Sequence, residues 1–117
     1  DYIFMNKRKL TELTSEKKVE YALNKLNFLN DKHIIVTLSD KGAIYFFNKE
    51  SKFAQSKKFN TIDSTGAGDA FAGSFLYGLS LGLPVYENLE KSCLVAGQST
   101  TFNGSTKFLY KIENPFS

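Results

Sequence analysis

The run His33-Ile-Ile-Val-Thr-Leu38 is apolar and β-branched, without the alternation that marks a strand solvated on one side. Such a run is the signature of a strand covered on both faces. The neighbouring segments fit around it. Asp1-Tyr-Ile-Phe-Met5 reads as a short buried strand, followed by Asn6 and a Lys-rich turn. Thr14 or Ser15 is suited to cap a helix with Glu16 in its first turn. Val19, Ala22, Leu23, Leu26 and Leu29 then recur at helical spacing, and Asn30-Asp31 ends the run. Ser39 to Gly42 is a turn, and Ala43 to Phe47 returns as a second strand. After a turn from Asn48 to Ser51, Lys52 to Phe59 is expected as an edge strand.

Downstream, the spacing predicts a helix from about Asp69 to Leu81, with Ala72, Phe75, Leu76 and Leu79 facing inward and Gly82 as its stop. Pro84 opens a further helix to about Thr100, whose apolar face uses Leu89, Cys93 and Ala96. Asn103-Gly104 is a turn signal, and the tail from Lys107 to Ser117 is weakly patterned. Strand, helix, strand, hairpin, loop, helix, helix is an α/β order. The 117 residues are enough for a modest core but too few to complete a doubly wound sheet, so one edge is expected to take further strands.

Charge and cysteine content narrow the function classes. The net charge is +3, with Arg8 as the only arginine and the lysines spread among Asp and Glu. That is the pattern of a solvated surface rather than of a nucleic-acid footprint, which clusters its cations. Cys93 is the only cysteine, so no internal disulfide can form, and a cytoplasmic setting is expected. Beside Leu94 and Val95 it reads as a small buried hydrophobe rather than a reactive thiol. His33, the only histidine, sits at a strand start and reads as structural. No apolar stretch is long enough to span a bilayer, and no membrane partner is expected. The chain begins at Asp1, directly on a strand, and reads as a piece of something longer.

The chemistry concentrates in Asp63-Ser-Thr-Gly-Ala-Gly-Asp-Ala-Phe71. Backbone N–H groups at a helix start lack intrahelical partners and sit at the positive end of the dipole, so they bind anions. Gly66, Ala67 and Gly68 are small enough to let phosphate oxygens approach the main chain. Asp69, where the helix begins, is placed to accept a proton from an attacking hydroxyl. On local chemistry alone, a tight loop in which Asp69 merely caps the helix is equally good. No Walker lysine follows the second glycine, so this is not a P-loop. A dinucleotide fingerprint would need glycine at position 71, which is Phe, and Asp69 would repel a pyrophosphate.

The longer string through Gly73 resembles the C-terminal signature of the ribokinase or PfkB family, Asp-Thr-Thr/Asn-Gly-Ala-Gly-Asp-x-Phe-x-x-Gly. Ser64 stands at a variable place and Gly73 comes one position early. The resemblance covers most of the chain as the C-terminal portion of such a kinase. It implies a three-layer ribokinase-like α/β sandwich, with an N-terminal substrate and lid portion lying outside this sequence. It also implies ATP-dependent phosphorylation of a hydroxyl on a sugar or nucleoside, and a homodimer formed through that lid. By resemblance Asp69 is the general base and Gly66, Ala67 and Gly68 form the anion hole. Val36-Thr-Leu-Ser-Asp-Lys-Gly42 is similar to the family's Val-Thr-Leu-Gly-x-x-Gly nucleotide turn, matching at Thr37 and Gly42, with Ser39 in place of the first glycine. A strand-end hydroxyl capping a turn is the lesser alternative for Thr37.

Cys93 to Thr101, with Gly97, resembles the helix lining the adenine pocket. Asp63 and Thr65 match ligands of a K+-like monovalent cation, although Asp63 serves equally as a turn-former. Asn6-Lys-Arg-Lys9 keeps the Asn of the family's Asn-x-x-Glu, tied to Mg2+ and phosphate handling, but has Lys9 where Glu is expected, with Glu12 close by. A lysine there would repel Mg2+ yet could contact phosphate directly. The alternatives are a nucleotide-binding or regulatory homologue with weakened catalysis, and an adenosine-kinase-like nucleoside kinase.

Overall fold

The computed structural model describes residues 2–29, 31–57 and 66–101. Its elements run β1 (Tyr2–Asn6), α1 (Lys7–Thr14), α2 (Val19–Lys25), β2 (His33–Thr37), β3 (Gly42–Phe47), β4 (Glu50–Gln55), α3 (Ala67–Ser80) and α4 (Val85–Ser99). The four strands form one sheet in that order. β1 and β2 are parallel, with Tyr2 opposite His33 and Asn6 opposite Thr37. β2–β3 and β3–β4 are antiparallel.

The continuous apolar run of β2 has the expected cause. Ile34, Ile35 and Val36 are all fully buried, each removing apolar surface worth about 1.5–3 kcal/mol from water. Ile34 and Val36 pack with Leu10, Ala22, Leu23, Leu26 and Phe46 under α1 and α2. Ile35 points to the other face, among Ala43, Tyr45, Ala54, Phe71, Phe75, Leu89 and Cys93, under α3 and α4. Helices thus cover both faces of a mixed sheet, giving three layers. No described helix is long and apolar enough to cross a membrane.

Three local expectations are corrected. The Lys-rich stretch after Asn6 is helix α1, not a turn. The Asn6 side chain caps it by accepting from the Lys9 N–H at 2.8 Å, and burial of Leu10 fixes its inner face. Those two contributions offset the cost of placing Lys7, Arg8 and Lys9 at the positive end of the dipole. Thr14 and Ser15 therefore end α1 rather than start the next helix. The Thr14 hydroxyl donates back to the Leu10 carbonyl at 2.8 Å, and Ser15 takes a left-handed φ of 59°. In α3, Leu76 is half exposed, and Phe71 takes the inward position instead.

The α3–α4 corner matches its sequence signal. Gly82, at φ 74°, closes α3 with Gly82 N–H donating to Leu79 and Leu83 N–H to Gly78, the paired bonds of a glycine-terminated helix. The fully buried Asn88 side chain then donates to the Phe75 carbonyl at 2.9 Å and lies directly over Gly78.

His33 is structural, as expected. Its ring stacks between Tyr2 and Phe47, at 4.4 and 4.1 Å between centroids, and Nδ1 meets the Tyr45 hydroxyl. Burial holds its pKa below the ordinary 6.5. The unfolded chain therefore binds a proton more readily than the folded one, and stability falls as pH drops through about 6.5. Denaturation midpoints measured from about pH 7.5 to 5.5 should decline, and the decline should flatten in His33→Gln. Equal slopes in the two proteins would assign it to other groups.

Candidate active site

β1 and β2 run parallel and end together, so Asn6 and Thr37 stand side by side at the carboxyl edge of the sheet. In open α/β sheets this edge is where ligands bind. β2 leaves it through a tight turn, with Leu38 N–H donating to Gly42 at 2.8 Å and Lys41 N–H to Leu38 at 3.1 Å. β4 arrives at the same edge, where Ser56 N–H donates to the Lys41 carbonyl at 3.2 Å. α3 begins there and α4 ends there. Together these segments enclose a cleft of about 530 Å³.

Most residues singled out from sequence meet in this cleft. Asn6, Thr37, Ser39, Gly42, Ala67, Gly68 and Gly97 all line it. Gly66 is the N-cap of α3, at φ 80° and without a side-chain cap. The first helical bond is made by Ala70 N–H to the Gly66 carbonyl at 2.8 Å, so the N–H groups before it have no intrahelical partner. A Cβ built on Gly68 would meet nothing within 4 Å, so open space lies over that backbone. Asp69 is exposed in the first turn of α3, beside the cleft but not in its lining. Asp63 and Thr65 lie outside the described residues, as does the Asn103-Gly104 turn.

Ser39 does adopt a positive φ, 59°, in its turn. Left-handed backbone costs a non-glycine residue about 1–2 kcal/mol, whereas glycine loses about 0.5–1 kcal/mol more on ordering. Ser39→Gly should therefore raise stability by roughly 0.5–1 kcal/mol, seen as a higher urea midpoint at unchanged slope. An unchanged or lower midpoint would mean that the hydroxyl repays its strained backbone.

Sequence reasoning missed Ser56 and Lys57 in the lining, and had Asp40, Phe71 and Thr100 only as members of longer matching stretches. A signal existed for some of them. Cys93, Ala96, Gly97 and Thr100 fall at the spacing of one helix face. Ser56 and Lys57 follow Gln55, which pairs with Gly42, but that register is a tertiary fact. Cys93 is buried, and desolvation pushes its thiol up to about 12, so it stays protonated and serves as cleft wall. Among the described residues, no group of three or more His, Cys, Asp or Glu could hold a metal ion.

Residues 1–111 match the family model described as pfkB family carbohydrate kinase, and the chain belongs to that family. It is 33% identical over 106 residues to a 1-phosphofructokinase of Bacillus subtilis, covering 87% of this chain and 34% of that protein. It is 33% identical over 89 residues to a cytidine kinase of Thermococcus kodakarensis, covering 74% of this chain and 32% of that protein. A fructokinase of Vibrio cholerae, solved with fructose, ADP and calcium bound, superimposes with a TM-score of 0.83 at 26% identity, over 94% of this chain and 40% of that one. The three-layer arrangement is thus the fold of the ribokinase-like sugar kinases. The chain spans about a third of the length of the curated relatives it matches.

Proposed function

We propose that this chain forms the nucleotide-holding and phosphoryl-transfer part of a kinase that moves the γ-phosphoryl of ATP to a hydroxyl of a sugar or nucleoside. The observation that carries this reading is the convergence of four separate stretches on one cleft at the carboxyl edge of the sheet: Asn6, the Thr37–Gly42 turn, Ala67–Gly68 and Gly97. Phosphoryl transfer needs positioning and charge stabilisation more than covalent help, and these parts supply both.

In this reading Thr37, Ser39 and Gly42 cradle the nucleotide on the sheet edge, and Gly97 lets its base approach α4. The N–H groups of Gly66, Ala67 and Gly68 hold the oxygens of the moving phosphoryl group at the positive end of α3. Asp69 takes the proton of the attacking hydroxyl. Its exposure outside the cleft lining suits that role, since the acceptor must arrive from the side away from the nucleotide. Further chain of the length seen in the relatives would complete the acceptor side, and a lid there would be the place for dimer contacts.

ATP bound in this cleft supplies the transferable group, with Mg2+ screening its phosphates. Among the described residues the lining offers one carboxylate, Asp40, beside the exposed Asp69. That donor set fits Mg2+ held by phosphates with one or two carboxylates rather than a protein cage. Asp63 and Thr65 remain the proposed ligands of a K+-like ion.

A second reading, a nucleotide-binding homologue with weak turnover, is favoured by one feature. The first turn of α1, beside Asn6, holds Lys7, Arg8 and Lys9 and no acidic residue. A coupled ADP-release assay on the full-length protein, across sugars and nucleosides that include adenosine, separates the two. Turnover on one acceptor supports the kinase, and nucleotide binding without turnover on any supports the homologue.

A further inference from the structure

We infer that Lys57 is a charge contact for the phosphates of the bound nucleotide, and so sets the preference of the cleft for polyphosphates over uncharged nucleosides. The inference rests on the nucleotide reading of the cleft. A nucleoside diphosphate or triphosphate brings several negative charges. The start of α3 offers only about half a positive charge. No lysine follows Gly68 in the manner of a P-loop, because that position is Asp69. Beyond the Mg2+ that would accompany the nucleotide, any side-chain cation has to come from elsewhere in the fold.

Lys57 is the one cation among the described residues of the lining. The rest of the described wall is small, apolar or hydroxyl-bearing, apart from Asn6 and the carboxylate of Asp40. Lys57 is exposed and makes no ion pair with Asp40 or with any other described residue. Its place is fixed through the main chain. β4 pairs Gln55 with Gly42, Ser56 N–H donates to the Lys41 carbonyl at 3.2 Å, and Ser56 Oγ donates to the Lys57 carbonyl at 3.1 Å. The backbone that carries the ammonium is thus tied to the turn that holds Thr37 and Ser39, while a flexible stem lets the charge follow a ligand. The other cations near Asn6 are differently engaged or placed. Arg8 pairs with Glu12 at 3.2 Å, and Lys7 and Lys9 are exposed outside the lining.

The test measures dissociation constants of ADP and of adenosine by calorimetry for the full-length protein, Lys57→Gln and Lys57→Arg. Losing a charge-assisted contact at an exposed position should weaken ADP by about fivefold to twentyfold in Lys57→Gln. Adenosine should change less than about twofold, because it carries no charge for the ammonium to meet. The loss of ADP affinity with rising salt should be shallower in Lys57→Gln, and Lys57→Arg should hold ADP within about threefold of the parent. ADP binding unchanged in Lys57→Gln overturns the inference while leaving the nucleotide site standing. Equal losses for ADP and adenosine also overturn it, by making Lys57 a support of cleft shape. A parent protein that binds neither ligand overturns the nucleotide reading itself, and the role of Lys57 with it.

Discussion

Asp69→Asn is expected to lower kcat by about 10²- to 10⁴-fold while ADP affinity stays within about threefold. The substitution keeps the shape of the side chain and removes its capacity to take a proton. Asp69 is exposed and stands outside the lining of the cleft, so no nucleotide contact is expected to be lost with its charge. The carboxylate also sits in the first turn of α3, where an anion stabilises the helix start by about 0.3–1 kcal/mol. Denaturation of the variant should show a loss of that size and no more, which separates missing chemistry from missing fold. The assay is single-turnover phosphorylation of the preferred acceptor, with ADP binding measured on the same preparation. Turnover within about threefold of the parent would remove Asp69 as the base and leave the α3 start as an anion site only.

The residues differ in how much of this was legible beforehand, and the differences have physical causes. β2 announced itself, because a strand buried on both faces cannot alternate, and Ile34, Ile35 and Val36 do not. The end of α3 was equally clear, since Gly82 is the residue type that a left-handed helix stop demands. α1 was hidden. Three cations in its first turn argue against a helix start, and only Leu10 and Thr14 are buried in it, so the sheet and α2 impose what propensity does not. In the cleft, the residues with a local signal were found: the small residues of the α3 start, the Thr37–Gly42 turn, and Gly97. Lys57 was not, because a lysine in a turn has no local mark, and Asp40 came only as an unremarked member of the Thr37–Gly42 turn. What places Lys57 in the cleft is the pairing of β4 with β3, a contact between segments that the pattern of either strand leaves open. Ser39, which stands where the family usually has glycine, takes a positive φ of 59°.

Gly42→Ala should be among the most damaging single substitutions in the chain, costing at least about 4 kcal/mol of stability. Part of the cost is conformational, since Gly42 sits at φ 133°, a region L side chains rarely adopt. The larger part is steric. A Cβ at this position would lie 2.0 Å from the Ala54 carbonyl oxygen and 3.1 Å from the Gln55 Cα, both main-chain atoms. Neither can rotate away. Relief requires β4 to pull back from β3, which separates Ala43 from Ala54, both fully buried, and strains the bond from Ser56 N–H to the Lys41 carbonyl. Glycine at the turn between β2 and β3 is thus required by strand pairing, before any role in ligand binding. Gly78 makes the contrast. A Cβ there would lie 2.0 Å from Asn88 Oδ1, but that obstacle is a side chain. Gly78→Ala should accordingly recover much of its lost stability when combined with Asn88→Ala, whereas no second substitution near Ala54 should rescue Gly42→Ala. Against a typical folding stability of about 5–15 kcal/mol, the Gly42 variant is expected to be marginal at 25 °C and to lose ADP affinity in step with its folded fraction. Urea denaturation of the two single variants and the Gly78–Asn88 double variant decides the matter. A Gly42→Ala unfolding free energy within about 1 kcal/mol of the parent would mean that β4 can yield, and that close strand pairing is not what holds glycine at this turn.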